Sequence, residues 1–339
     1  MPRLTESEAL TLFYKTPLEE LRARAGEQRC HFLPASKATY IVMRIVSYTN
    51  VCVADCRYCA FYRRPGNPEG YVLSREEIFK KIDELKEKGG SLVAMEGGLN
   101  PALEIEHYEN LFRSVRERYG NEIEIYGPTA VEVLFIARNS KISVVEALER
   151  LRNAGLYWIP GGGAEILTDE WRRKLSPKKY SVSQYLETIE MAQKMKLGTT
   201  ATMTIGFGEP FEARVEHLKK IRDLQDKTGG FASFLCWTYQ SAHTALGGIV
   251  TSNEDYLRTV AVARLYLDNF KRIRASFLTQ GPSGVQALLF GADDFDIVLE
   301  DQVTQKAGVQ IEDNIGQVLT RVRNVGMEPL RRKTYAPPQ

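Results

Sequence analysis

Residues 39–61 read TYIVMRIVSYTNVCVADCRYCAF, a run of β-branched and apolar residues followed at once by three cysteines. Residues 39–48 have the composition of a strand that is buried on both faces. Cys52, Cys56 and Cys59 then follow with C-x3-C-x2-C spacing. The segment therefore predicts a buried strand whose end carries a loop with three thiols.

The rest of the chain alternates strand-like apolar runs with helix-like segments. The helix predicted over residues 74–90 begins with a capping-type Ser74 and places Ile78, Ile82 and Leu85 on one face. Further strands are predicted over residues 91–95, 122–127, 156–163, 199–208, 231–240 and 272–281, and further helices over residues 107–120, 143–155, 181–198, 212–230 and 252–270.

Strands separated by helices of this length form parallel βαβ units with crossovers of one hand. Seven alternations in succession, without an early Gly-rich dinucleotide fingerprint, predict an α/β fold of the TIM-type (β/α) barrel class. We expect an N-terminal helical extension over residues 1–38 and the barrel over residues 39–300. A C-terminal helix and extension over residues 301–339 is expected to pack on the barrel.

Functional groups in such barrels gather at the C-terminal ends of the strands. The loops that follow the predicted strands carry glycine, proline and polar residues, among them MEGGLNP, IPGGGAE and WTYQSAH. For any single loop, turn chemistry explains the glycines as well as a functional role does. Seven such loops at one rim favour a functional site there.

The composition is ordinary for a soluble globular protein, with 43% hydrophobic and 26% charged residues. A net charge of +2 gives no electrostatic reason to expect a nucleic-acid or membrane partner. We expect no signal peptide, because the start MPRLTESEALTLF has no apolar h-region, and no membrane span, because no run of about 18 apolar residues occurs. The Arg331–Arg332–Lys333 run is interpreted as a solvated tail.

Five cysteines, three of them clustered, do not match a secreted disulfide framework. We therefore expect a reducing cytoplasm. Cys30 and Cys236 stand alone in the sequence and are predicted to be buried thiols.

Three thiolates in one loop suit zinc or an iron–sulfur cluster, because both are bound by soft ligands. Zinc needs a fourth ligand, and none of the four histidines lies near the loop in the sequence. Three cysteines can also hold three corners of a [4Fe–4S] cube and leave the fourth iron for a small molecule. The spacing favours the cluster and leaves zinc open.

The C-x3-C-x2-C motif, with Tyr58 before its last cysteine and a position after the first barrel strand, resembles the radical S-adenosylmethionine (SAM) superfamily. This resemblance implies a [4Fe–4S] cluster on Cys52, Cys56 and Cys59, with SAM on the open iron. It also implies that an electron from the cluster splits SAM into methionine and a 5′-deoxyadenosyl radical. The implied contacts to SAM come from Tyr58 and Phe61 near the adenine, from the backbone of Glu96, Gly97 and Gly98, and from Glu132.

Further stretches, among them IPGGGAEIL, KLSPKKYS, ASFLTQG and LLFGADDF, resemble the cyclic dehypoxanthine futalosine synthases of the futalosine menaquinone pathway. The resemblance covers about residues 5–335. It implies that the radical removes the C4′ hydrogen of the substrate, that a ring closes onto an attached aromatic carboxylate, and that a base takes the last proton. It also implies a one-electron donor such as flavodoxin or ferredoxin.

Several positions depart from this family pattern, and we expect them to lie at the substrate rim. Asn100 stands where histidine is usual, and Phe207 or Gly208 replaces another histidine. The remaining departures are Ser241 for proline, His243 for asparagine, Asp293 for asparagine and Asp296 for glycine.

Candidate functional residues follow from these loops. Glu165, Asp294 and His243 are the candidates for proton transfer, although a helix-start carboxylate, a turn and a plain loop histidine explain them too. Trp237 and Tyr239 are interpreted as packing residues. The candidates for binding the substrate are Gly161, Gly162, Gly163, Gln240, Arg274, Ser276 and Gln280.

Two alternatives remain open at this point. An enzyme resembling the aminofutalosine synthases would add the deoxyadenosyl radical to an alkene instead of abstracting hydrogen. A zinc protein or a binding module on a barrel scaffold would use the three thiols structurally.

Overall fold

Parallel strands close into a barrel in the computed structural model, which describes residues 3–332. The strands are β1 (Lys37–Val46), β2 (Leu92–Met95), β3 (Glu124–Tyr126), β4 (Leu156–Ile159), β5 (Gly198–Ile205), β6 (Phe231–Thr238), β7 (Ile273–Ala275), β8 (Asp294–Val298) and β9 (Glu328–Arg331).

Strands β1 to β8 follow one another around the barrel in sequence order, and β1 closes it by pairing with both β2 and β8. Because every pairing is parallel, all eight C-terminal strand ends meet at one rim. The predicted TIM-type barrel is confirmed, with one more barrel strand than the sequence indicated.

Helices connect the strands and cover the outside of the barrel. They are α1 (Glu6–Tyr14), α2 (Leu18–Cys30), α3 (Arg75–Glu87), α4 (Ile105–Tyr119), α5 (Ala130–Asn139), α6 (Val144–Asn153), α7 (Asp169–Leu175), α8 (Val182–Lys194), α9 (Phe211–Thr228), α10 (Asn253–Tyr266), α11 (Phe277–Gln280), α12 (Gln302–Lys306) and α13 (Ile315–Asn324), with a 3-10 helix over Gly281–Phe290.

The start of α3 shows how local sequence sets these elements. Ser74 accepts a hydrogen bond from the Glu77 backbone, and the Glu77 carboxylate accepts one from the Ser74 backbone, which forms a complete capping box. The predicted apolar face of Ile78, Ile82 and Leu85 is buried against the barrel. A cap and a helical apolar stripe are both readable in a sequence, and this helix is confirmed.

Two apolar layers hold the barrel together. The larger lies between strands and helices, and the smaller includes Met43, Tyr126 and Trp158, whose side chains come from β1, β3 and β4. Threonines from β5 lie beside the smaller layer, since the Thr200 hydroxyl contacts the Tyr126 hydroxyl at 2.6 Å. The smaller layer therefore fills the barrel below its open rim.

Strand β8 was not predicted from the sequence, because acidic residues occupy it at alternate positions. Asp294 is fully buried and bonds to Arg332 at 2.6 Å, and Asp296 bonds to Arg274 at 2.6 Å. Charged residues rarely sit in a buried strand unless they are paired, and the partners lie far away in sequence. The interpretation of residues 331–333 as a solvated tail is wrong for Arg332; Lys333 lies outside the described residues.

Strand β9 lies beside the first half of β1, where Lys37 to Tyr40 pair with Glu328 to Arg331. It was not predicted, because a four-residue strand with three exposed side chains has no apolar signature. The segment after residue 300 thus adds a strand to the sheet as well as helices. The division of the chain at residues 38 and 300 stays a prediction.

Two predicted strands end at least four residues before their predicted limits. The strand predicted over residues 272–281 ends at Ala275, after which Ser276 caps the short helix α11. The strand predicted over residues 156–163 ends at Ile159, before its glycines. Helix α5 was missed, although Thr129 and Glu132 carry the capping-box spacing that announces it.

The N-terminal helices pack on the barrel layer, α1 against α9 and α2 against α10. Arg29 at the end of α2 donates hydrogen bonds to the carbonyl oxygens of Lys37 and Ala292, at the starts of β1 and β8. Cys236 is buried as predicted, whereas Cys30 is exposed, so that prediction is wrong. Within residues 3–332, every helix is too short or too polar to cross a bilayer.

We predict that Asp294→Asn lowers the free energy of unfolding by roughly 3–5 kcal/mol, because it removes the fully buried anion that pairs with Arg332 at 2.6 Å. Urea denaturation followed by circular dichroism measures this. Asp313→Asn, which removes one side of the exposed Lys88 pair, is the matched control and should cost less than about 1 kcal/mol. Equal effects of the two substitutions would contradict the proposed importance of the buried pair.

Candidate active site

A cavity of roughly 1270 Å³, counting its open mouth, lies at the C-terminal rim of the barrel. The loops after β1, β2, β4 and β6 contribute to its wall. The predicted site residues that line it are Cys52, Cys56, Cys59, Tyr58, Phe61, Glu96, Gly97, Gly98, Glu132, Gly162, Gly163, Glu165 and Gln240.

The cysteine loop (residues 50–61) presents its three thiols to this cavity. Burial raises the pKa of Cys52, and it raises the pKa of Cys59 to about 11. Thiols in such a place become thiolates only when a cation compensates the charge, and iron or zinc would do so. None of the five cysteines forms a disulfide, so all three thiols of the loop are available as ligands.

The spacing of possible ligands bears on which metal the loop fits. Within residues 3–332, no three side chains of His, Cys, Asp or Glu converge as ligands of one ion would. A cluster needs less convergence than a single ion, because each cysteine binds a different iron. Three soft donors facing an open cavity therefore fit three corners of a cluster better than a closed zinc site.

The loop after β2 is held against the cysteine loop by a buried carboxylate. Oε1 of Glu132 accepts hydrogen bonds from the Tyr48 hydroxyl at 2.5 Å and the Gly97 backbone at 2.8 Å. Its Oε2 accepts from the backbone and hydroxyl of Thr129 at 2.8 and 2.7 Å. Burial raises the pKa of Glu132, and these four donors counteract the effect.

Gly98 shows why this loop cannot carry larger residues. A Cβ at Gly98 would overlap the carbonyl oxygen of Val51 and lie 3.0 Å from the Cβ of Cys52. The Gly98 backbone N–H donates to Thr49 at 2.9 Å. The N–H groups of Gly97 and Gly98 are thus both used within the protein.

A buried network joins the cysteine loop to the loop after β4. The Tyr58 hydroxyl donates to Glu165 at 2.5 Å and accepts from Lys179 at 2.6 Å, and Lys179 also lies 3.1 Å from Glu165. Burial opposes ionisation of Glu165, but Lys179 and Arg172 outweigh burial and lower its pKa. Burial also opposes the charge of Lys179, but Cys56 and Glu165 raise its pKa. Both groups are therefore charged, and Glu165 is a poor proton acceptor.

Hydrogen bonds to neighbouring strands and helices fix the loop after β4 (residues 160–168). The Gly161 carbonyl accepts hydrogen bonds from Thr202 at 2.6 Å and Tyr185 at 2.7 Å. His217 is fully buried and accepts a hydrogen bond from the Leu167 backbone at 3.0 Å. Burial lowers the pKa of His217 to about 3, so it acts as a neutral acceptor. These contacts give Glu165 a fixed position, with φ at 44°.

Glu96 points toward the bottom of the cavity. It lines both the main cavity and a smaller space deeper in the barrel, which it shares with Trp237 and Arg274. Gly162 lies beside it, since a Cβ there would be in ordinary van der Waals contact with Oε2 of Glu96, at 3.4 Å. Burial, together with repulsion from Glu132, raises the pKa of Glu96 to about 8. This carboxyl group therefore exchanges its proton near neutral pH.

Other predicted residues lie outside the cavity. Asp294 starts β8, at the opposite end of the barrel, so its predicted catalytic role is wrong. His243 is exposed in the loop after β6 and does not line the cavity. Arg274 is buried inside the barrel, where it forms an ion pair with Asp296 at 2.6 Å. Ser276 lines the deeper space. The carbonyl oxygen of Gly161 accepts a hydrogen bond from Thr202, and the amide of Gln280 donates one to the Thr238 hydroxyl.

Not all departures from the family pattern face the rim as expected. Asn100 is buried and forms hydrogen bonds with Thr49 and with the Ala102 backbone. Asp293 is also buried and forms an ion pair with Arg264. Phe207 lies at the site, with its ring centroid 5.6 Å from Tyr58 and 4.8 Å from Tyr239. Phe207, which stands where the family has histidine, therefore packs against two residues of the cavity wall. Asn100 and Asp293 belong to the packed interior instead.

Two polar groups of the cavity, Lys179 and the Glu96 side chain, were not predicted from the sequence. Lys179 lies in the KLSPKKYS stretch, but nothing in the local pattern distinguishes it from its neighbour Lys178. The Glu96 side chain gave no local signal either, because its raised pKa depends on burial and on Glu132, which is distant in sequence. Trp237, interpreted as a packing residue, also lines the cavity.

A parallel (β/α) barrel with three cysteines in the loop after its first strand defines the class of radical SAM enzymes. The family model "Radical SAM superfamily" matches residues 46–221, and the model "CofH/MqnC C-terminal region" matches residues 228–339. The chain belongs to the radical SAM superfamily, and it binds a [4Fe–4S] cluster and SAM.

The relatives that resemble nearly the whole chain include two curated proteins of the same name. The cyclic dehypoxanthine futalosine synthase of Halalkalibacterium halodurans is 40% identical over 98% of this chain and 90% of the relative. The Streptomyces coelicolor protein of the same name is 38% identical over 98% of this chain and 84% of its own length. The crystal structure of a methylornithine synthase shares the fold, with a TM-score of 0.77, 21% identity and coverage of 97% and 95% of the two chains.

We predict that Cys56→Ala abolishes SAM cleavage under dithionite without unfolding the barrel, because one iron loses its thiolate. After anaerobic reconstitution, iron and sulfide analysis and the visible spectrum should show loss of the four-iron centre. Cys30→Ala, which changes an exposed cysteine outside the cavity, is the matched control and should keep the brown colour. A Cys56→Ala protein that still cleaves SAM would contradict the ligand assignment.

Proposed function

We propose that this protein converts dehypoxanthine futalosine to cyclic dehypoxanthine futalosine in menaquinone biosynthesis. The observation that carries the proposal is the full-length similarity to two synthases of that name, combined with a cavity that holds three thiols and a proton acceptor. In the overall reaction the C4′ hydrogen passes to the 5′-deoxyadenosyl radical and a ring closes; the resulting substrate radical then gives one proton to a base and one electron to a one-electron acceptor.

In this proposal Cys52, Cys56 and Cys59 hold the cluster, and the loop at Glu96–Gly98 contacts the SAM ammonium. When bound and reduced, this cofactor pair supplies a 5′-deoxyadenosyl radical that abstracts hydrogen. The task of the protein is to hold the substrate near that position and to keep water away. The Glu132 contacts support this role by fixing the Gly97 backbone.

The walls of the cavity suit a substrate with an aromatic ring and several hydroxyl groups. Trp237 and Tyr239 offer aromatic surface, while Gln240 and Thr204 offer polar groups nearby. Gln240 donates to Thr238 through its Nε2, so its amide oxygen is the group that remains for a substrate hydroxyl. Deeper in the barrel, Arg274 is held by Asp296.

Glu96 is our candidate for the base that takes the final proton. Its carboxyl group lines the cavity, and its pKa of about 8 suits proton transfer near neutral pH. Glu165 is held as an anion by Lys179 and Arg172, and both oxygens of Glu132 are occupied by donors. Among these three cavity carboxylates, Glu96 is therefore the one suited to gain and lose a proton.

The proposal includes a cytoplasmic location and a one-electron donor such as flavodoxin or ferredoxin, with no nucleic-acid or membrane partner. Five free cysteines support a reducing compartment. The donor is required because the cluster must be reduced before each cleavage of SAM.

The assignment predicts that dehypoxanthine futalosine deuterated at C4′ transfers its deuterium to 5′-deoxyadenosine. The assay is an anaerobic incubation with SAM and dithionite, with mass analysis of both products, and unlabelled substrate is the control. An adenosylated product with no free 5′-deoxyadenosine would instead identify an enzyme of the aminofutalosine-synthase type and overturn the proposal.

Glu96→Gln should lower the rate of cyclisation about 100-fold, within the range usual for loss of a general base. In the unchanged protein the rate should rise with pH up to about 8, because the ionised form of Glu96 accepts the proton. The variant should lose this rise, and a rise that persists in it would contradict the role. Glu104→Gln, an exposed change between the same β2 and α4, is the control and should leave rate and profile unchanged.

A further inference from the structure

A groove on the outer surface lies directly behind the cysteine loop. Its apolar part comes from Val53, which is 37% exposed, and from the half-buried Phe135 and Tyr180. Arg138 and Lys178 add two exposed cations. The groove combines apolar surface with positive charge, which is the composition of a site for an acidic protein.

The wall between this groove and the cavity is one residue thick. Ala54 and Leu99 line both spaces. The Ala54 backbone N–H lies 3.4 Å from the Cys52 sulfur, and the Val53 backbone N–H donates to the Leu99 carbonyl at 3.1 Å. A protein seated in the groove would therefore lie within a short distance of the thiols without entering the cavity.

The charge around the groove is predominantly positive. Across residues 3–332, neither Arg138 nor the exposed Arg57 of the cysteine loop forms an ion pair with a carboxylate. The carboxylate of Asp55 forms ion pairs with two cations at once, Lys178 at 3.0 Å and Arg64 at 2.8 Å. The salt bridges thus leave an excess of cations beside the cysteine loop, although the whole chain carries only +2.

The mouth of the cavity is the other route to the thiols. SAM and the substrate occupy that side when they are bound, so a carrier that docked there would compete with them. The groove reaches the same cysteine loop from outside and shares only Ala54 and Leu99 with the lining of the cavity. It is the better place for a partner that must act while SAM is present.

We propose that this groove, formed by Val53, Ala54, Leu99, Phe135, Arg138, Asn139, Lys178 and Tyr180, is the docking site for an acidic one-electron carrier protein. The carrier is oxidised by one electron there, and the cluster behind Ala54 is reduced by one. This inference rests on the proposed function only in that the cluster needs an external electron. It adds the place where the electron enters.

The test is the affinity of the reconstituted protein for a purified flavodoxin, measured by isothermal titration calorimetry at low ionic strength. Reversing two cations in Arg138→Glu/Lys178→Glu should weaken binding at least about tenfold, because like charges then face each other. Lys15→Glu/Lys80→Glu is the control: it changes the net charge equally at two exposed lysines outside the groove, and it should leave the Kd within about twofold. Equal loss in both proteins would show a general charge effect and overturn the site.

A second measurement separates docking from chemistry. With flavodoxin as the reductant, the groove variant should show a KM for the carrier raised about tenfold, whereas dithionite-driven SAM cleavage should stay unchanged. Arg138→Glu alone should move the Kd in the same direction by a smaller factor. An unchanged Kd in the groove variant would refute the docking site. Failure of the unchanged protein to cyclise its substrate with dithionite would refute only the proposed function.

Discussion

The carboxylate of Glu132 is the contact on which the arrangement of the rim depends. It lies in the first turn of α5 and accepts four hydrogen bonds, from Tyr48 at the end of β1, from Gly97 after β2 and from Thr129 after β3. One buried anion therefore joins three consecutive loops of the barrel. An ionised group in such a place is stable only while all its donors are present, so the three loops keep one relative position.

Two further carboxylates at the same rim show opposite behaviour for reasons that the structure makes clear. Glu165 lies beside Lys179 and Arg172, which keep its pKa low in spite of burial. Within residues 3–332, no salt bridge involves Glu96, and burial together with the charge of Glu132 outweighs the effect of Arg274 and raises its pKa to about 8. Pairs of acids separated in this way divide their tasks, one holding a position and the other moving a proton.

Much of this molecule was predictable because its signals are local. The C-x3-C-x2-C spacing placed three thiols in one loop, and the alternation of apolar runs with capped amphipathic helices such as α3 predicted the barrel. Errors arose where the decisive partner is distant in sequence. The aspartates of β8 hid a buried strand because Arg274 and Arg332 neutralise them, and β9 exists only because the edge of β1 is open to it.

The sequence by itself determined the barrel class, the loop with its thiols and the type of chemistry, since each depends on residues close together along the chain. Only the tertiary structure decided which polar residues share the cavity. It moved Asp294 to the far end and His243 to the surface, and it brought Lys179 onto Tyr58. The physical reason is that burial and pairing set the charge of each group, and both depend on neighbours that the fold supplies.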